Sequence, residues 1–186
     1  VRSWRAAQEA FGPDSQPYLS FASNLANLYA ETGRPDAAEP LLQMVIEGRI
    51  RTRGEDHPEV MEAWNNLAVF YADRGRFADA VPLLERAHPH QEHTLGPAHP
   101  QAMITRNDLA AMHGMLFAWD EAERLYREGL AIAADHRTVG ERTVQHMINN
   151  LGHLELRQGR LEAAAETLGR AYRLRREHHG RRHRDT

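Results

Sequence analysis

Shifted by 42 residues, the sequence falls on itself through four copies without a gap. Asn24, Asn66, Asp108 and Asn150 coincide, as do Leu25, Leu67, Leu109 and Leu151. Ala26, Ala68 and Ala110 meet Gly152, and Ala38, Ala80, Ala122 and Ala164 meet one another. Chance similarity would drift in register over such distances, so the period marks one structural unit whose copies stack to share an interior. Such a chain solves a single packing problem four times.

The unit is legible in residues 64–87, "WNNLAVFYADRGRFADAVPLLERA". Trp64, Leu67, Ala68 and Tyr71 share a face at helical spacing, "DRGR" interrupts, and Phe77, Ala80, Leu84 and Ala87 form a second stripe. Each copy is therefore a helix-turn-helix hairpin. Gly33, Gly75 and Gly159 suit the left-handed residue that ends a first helix, whereas Phe117 holds that place in the third copy. Small residues at the Ala68 and Ala80 positions let the paired helices come close. Pro17, Pro58 and Pro100 suit a first helical position, and Gly12, Gly54 and Gly96 stop the helix before each copy. The expected layout is a preceding helix end over 1–11, copies at 12–53, 54–95, 96–137 and 138–177, and a basic tail over 178–186. Pro89, inside a second helix, is expected to bend or end it.

The pattern x-x-Leu-Ala-x-x-Tyr followed by Gly-x-Phe-x-x-Ala-x-x-x-Leu-x-x-Ala resembles the tetratricopeptide repeat. The 42-residue length, the "LGPAHP" type of linker and the doubled Asn of "NNLA" are similar to the variety found in kinesin light chains. The resemblance implies an all-α fold, a right-handed α-solenoid whose first helices line a concave groove that binds a peptide or protein segment. Two copies depart from the pattern: His113 and Phe117 replace the Tyr and Gly of the third, and Glu155 replaces the Tyr of the fourth.

First-helix positions facing away from the partner helix are the candidate groove: Ser23, Asn24 and Asn27; Glu62, Asn65, Asn66, Val69 and Asp73; Asn107, Ala111 and Met115; and His146, Asn149, Asn150, His153 and Arg157. Asn carries both a donor and an acceptor, so a row of them can pair with the backbone of an extended peptide whatever its sequence. The second Asn of each doublet, at 24, 66 and 150, has a competing use in bonding neighbouring helices and fixing register. A clamp for a terminal carboxylate built on Lys is excluded, because all 23 basic residues are Arg.

Composition narrows the rest. The 41% hydrophobic content supports a packed interior. The absence of Cys removes disulfides and thiolate metal sites and fits a cytoplasmic protein. No apolar run reaches the roughly 20 residues needed to span a bilayer. Residues 173–186 hold six Arg against two acids, net +4, while residues 1–172 hold 17 Arg against 24 acids, net −7, which argues against nucleic acid on the body. His88, His90, His93 and His99 lie near Pro89, but their spacing puts no three on one face of a continuous helix, so no metal is expected. His57 and His99 read as helix caps or turn residues of the linker, and His178, His179 and His183 as solvated, disordered tail residues. With no nucleophile elbow, phosphate loop or zinc-protease motif, neither catalysis nor a cofactor is expected. Two other functions fit the sequence: a regulatory module of a larger enzyme or ATPase, and a homo-oligomer joined through its repeat ends. An Arg-rich extension binding an acidic partner is a third.

Overall fold

In a computed structural model of the chain, residues 11–136 and 140–182 are described. Every regular element among them is a helix. In order they are α1 (Gln16–Glu31), α2 (Pro35–Arg53), α3 (Pro58–Ala72), α4 (Phe77–Leu95), α5 (Pro100–Met115), α6 (Trp119–Asp135), α7 (Glu141–Arg157) and α8 (Leu161–Arg182). No helix among the described residues is long and apolar enough to cross a membrane. The chain forms two compact units, one ending at His90 and the other beginning at Gln91. Of the segment expected to end a preceding helix, residues 1–10 lie outside the described residues, as does the end of the basic tail at 183–186, which includes His183.

In the first unit α1 packs on α2 and α2 on α3. In the second, α5 packs on α6, α6 on α7 and α7 on α8. Ala22, Ala26 and Ala38 in the first unit, and Ala110, Ala122 and Ala164 in the second, have no exposed surface. Larger side chains fill the space on either side, among them Trp64 and Leu84 in one unit and Met103, Met147 and Ile148 in the other.

The linkers begin the helices by a common device. His57 Nδ1 accepts from the Glu59 N–H at 3.2 Å, and His99 Nδ1 accepts from the Gln101 N–H at 3.2 Å. Ser15 Oγ caps α1 by accepting from the Tyr18 N–H. Pro58 and Pro100 open their helices, whereas Pro17 is the second residue of α1. Each satisfies or removes a donor that a helix start leaves without an intrahelical partner.

All four first helices end in the same bond, from the N–H one residue past the left-handed position back into the last turn: Arg34 to Tyr29 O, Arg76 to Tyr71 O, Ala118 to His113 O and Arg160 to Glu155 O, at 2.8–2.9 Å. Gly33, Gly75 and Gly159 take φ of 73°, 72° and 75°, and Phe117 takes φ 63°. The third copy thus keeps the turn without the glycine. That conformation costs a residue with a Cβ roughly 1–2 kcal/mol.

Of the two outcomes expected at Pro89, an end to the helix is not seen: α4 continues to Leu95 with Pro82 and Pro89 inside it. One expectation is corrected. α8 continues to Arg182, so residues 178–182, with His178 and His179, extend a helix and are not a disordered tail.

Gly152 stands where the other copies have Ala, and a Cβ there would lie 2.6 Å from Leu168 Cγ. The α7–α8 hairpin has closed into the space of the missing methyl. We expect Gly152→Ala to destabilise the protein by about 1–2 kcal/mol in urea unfolding, overpacking exceeding the gain in helix propensity.

Candidate binding face on the first helices

A first helix buries one stripe against its own second helix and leaves another uncovered. In α5 the buried stripe includes Ala102, Thr105, Arg106, Leu109 and Ala110, while Ile104 and Met115 are exposed and Asn107 and Ala111 half-buried. In α7, Met147, Ile148, Leu151 and Leu154 are buried; His146, His153 and Arg157 are exposed, and Asn149 and Asn150 half-buried. α5 and α7 also pack on each other directly.

Asn107 and Asn150 are joined across those two helices. Asn150 Nδ2 donates to Asn107 Oδ1 at 3.1 Å, and Asn107 Nδ2 donates to Asp108 Oδ1 at 3.1 Å. The row of amides therefore runs in one direction and ends on a carboxylate. Burial pushes the Asp108 carboxyl above its ordinary range, opposed by the Asn107 hydrogen bond and by nearby His146. Burial also raises the Tyr126 phenol beneath it, with the Asp108 charge adding and an Asn150 hydrogen bond opposing. At position 150 the register-fixing bond is thus made, and its acceptor is one of the candidate ligand contacts.

In the first unit Asn24 and Asn27 are exposed and Ser23 half-buried on α1; on α3, Glu62, Val69 and Asp73 are exposed and Asn66 half-buried. Asn65 is different. Only 9% of its surface is exposed, so its side chain belongs to the interior. Its counterparts Asn107 and Asn149 are half-buried, and Arg106, standing where the second copy has Trp64, sends its guanidinium to Glu92 and Glu128.

Ile104 and Asp108 belong to the same open row and are absent from the sequence-derived set. The 42-residue shift contains both: Glu62 maps to Ile104 and then His146, and Asn66 maps to Asp108 and then Asn150. Among the described residues no three His, Asp or Glu side chains gather as a metal site. His88 is buried, and His90 Nδ1 lies 3.2 Å from Asp56 Oδ1.

A stack of helical hairpins with an uncovered first-helix row defines the class as an all-α repeat solenoid. The chain belongs to the tetratricopeptide repeat family: one family model matches residues 59–135 and a second matches 19–59 and 144–185. No curated protein matches it by sequence. Among solved structures it is similar to a Podosopora anserina protein described as a kinesin light chain with nearly identical TPR-like repeats, at 23% identity and TM-score 0.83, covering 95% of this chain and 83% of that one. It is also similar to BtubC (BKLC) from P. vanneervenii, at 22% identity and TM-score 0.79, covering 88% of this chain and 65% of that one. MamA shares the fold at 13% identity and TM-score 0.68, covering 96% and 88%. The chain thus spans less than two thirds of BtubC.

Asp108 also gives the fold a dependence on acidity. Below the ordinary carboxylate range Asp108 is protonated whether the chain is folded or not, and its contribution is fully present; as pH rises through the raised folded value, that contribution is lost. Asp108→Asn restores the residue of the other three copies and keeps an acceptor for Asn107. It should raise the urea midpoint at neutral pH, and the gain should vanish when the titration is repeated in acid.

Proposed function

We propose that the chain is a protein–protein interaction module that holds a peptide or protein segment in the groove lined by its first helices. Tetratricopeptide repeats mediate protein–protein interaction generally. The observation that supports a groove ligand is the composition of the uncovered α7 row. His146, Asn149, His153 and Arg157 lie outside the buried stripe and offer donors and acceptors at helical spacing along one face. Ile104, Met115 and Ala111 on α5 add apolar surface beside them. Polar groups that can meet a peptide backbone, flanked by apolar contacts, are what a segment of mixed sequence requires.

Asn107 and Asn150 are poor probes of this reading, because substituting either breaks the bond between them. Asn149→Ala with His153→Ala removes two side chains of the open row and leaves the amide chain intact. In a peptide-array screen followed by titration, the double variant should bind the selected peptide about tenfold more weakly, the loss of one or two hydrogen bonds, with an unchanged circular dichroism spectrum. Equal affinity of the two proteins for that peptide would move binding off the first-helix row.

A further inference from the structure

We propose that the turn between α5 and α6, with the end of α7, forms a second contact site that takes a carboxylate side chain flanked by apolar residues from an acidic partner segment. This site is independent of the groove reading. It shares Met115 and Arg157 with the candidate row but is built around Phe117 and Trp119, which lie off the first-helix face.

The Arg157 guanidinium stands 4.9 Å from the centre of the Trp119 ring and 5.6 Å from that of Phe117, and the two rings meet edge to face at 5.3 Å. Arg157 Nη1 lies 3.4 Å from Met115 Sδ. Rings and thioether orient the guanidinium without neutralising it. Four other arginines of the second unit have carboxylates: Arg160 pairs with Glu123, Arg127 with Glu123, Arg124 with Glu121 and Glu128, and buried Arg106 with Glu92 and Glu128. Arg157 makes no ion pair among the described residues. A planar guanidinium held on aromatic rings is pre-organised for a carboxylate, which it can receive through two parallel N–H bonds.

The rim supplies the second half of the recognition. Met115, Leu116 and Phe117 are three consecutive exposed apolar residues, and Phe117, at 67%, is the most open. Phe117 occupies a left-handed position that glycine fills in the other three copies, so the turn itself does not require a large side chain there. Its ring contributes only to this exposed cluster. One oriented cation suits a single carboxylate beside an apolar side chain, not a polyphosphate or an anionic membrane, which need several cations together.

The test uses the whole chain and a capped heptapeptide alternating Leu with Glu, against a counterpart with Gln in place of Glu. The indole N–H resonances are followed by NMR, Trp119 being assigned by its loss in Trp119→Phe and buried Trp64 serving as the internal reference. The Glu peptide should move the Trp119 signal and bind about tenfold more tightly than the Gln peptide, with Arg157→Gln removing that difference. Phe117→Gly should weaken binding of the Glu peptide with no loss of helicity. Asn149→Ala with His153→Ala should leave this titration unchanged, which separates it from failure of the groove reading. A Trp119 signal unmoved at millimolar peptide, equal affinity for the two peptides, or an Arg157→Gln variant that still prefers Glu would overturn the proposal.

Discussion

Everything in this molecule depends on how closely two helices can approach at their crossing. Ala26 and Ala38, Ala110 and Ala122, and Gly152 and Ala164 are the small residues that recur on the paired helices, and the alanines among them are wholly buried. A methyl or a hydrogen at that point lets the backbones draw together, so the larger side chains on either side interdigitate at interior density. Leu168 resting against Gly152 shows how fully the space is used. Close pairing also fixes which stripe of each first helix is consumed inside the hairpin. The uncovered row is what remains.

Within each unit, polar interactions tie one hairpin to the next and are reused. Arg76, just past the turn of the second copy, pairs with Glu39 at 2.8 Å on the preceding second helix, and Arg160 repeats this with Glu123 at 2.7 Å, 84 residues later. Tyr71 joins the first of these clusters by donating to Glu39 at 2.9 Å. Glu155 holds the Tyr71 place in the fourth copy and is 3% exposed, its charge acting on Arg160. Ala118 and Val81 hold the Arg and Glu places in the intervening register, so this ion pair is not a property of every repeat. Exposed pairs of this kind contribute little to stability individually. Their recurrence at one spacing bears more on register than on free energy.

The fold was legible because its determinants are local and periodic. Alanines at one spacing, glycines at another and the His-Pro linkers each act within a few residues, and four copies let every feature be checked against the others. The turn at Phe117 was harder to read, since a residue with a Cβ is disfavoured there. Only the backbone shows that the hairpin geometry overrides that preference. Pro89 does not stop α4 for a related reason: a proline removes one ladder bond, and packing of a 19-residue helix can absorb that loss. The candidate site was less legible. Helical spacing places Asn65 and Asn107 on equivalent faces, yet Asn65 is buried and Asn107 half-buried, a difference that spacing cannot express. The Asn150 to Asn107 to Asp108 chain joins different helices, and spacing within one helix cannot reveal it.

The histidine caps carry a further consequence. His57 and His99 hold their helices through the unshared electron pair on Nδ1, so the proton of the neutral ring must sit on Nε2. The two caps are made by the same ring atom in both copies, whereas α1 takes its cap from the Ser15 hydroxyl. Replacing either imidazole would leave the first turn of the helix behind it without that acceptor. A linker that reads as punctuation in the sequence is also the fastening of the helix that follows it.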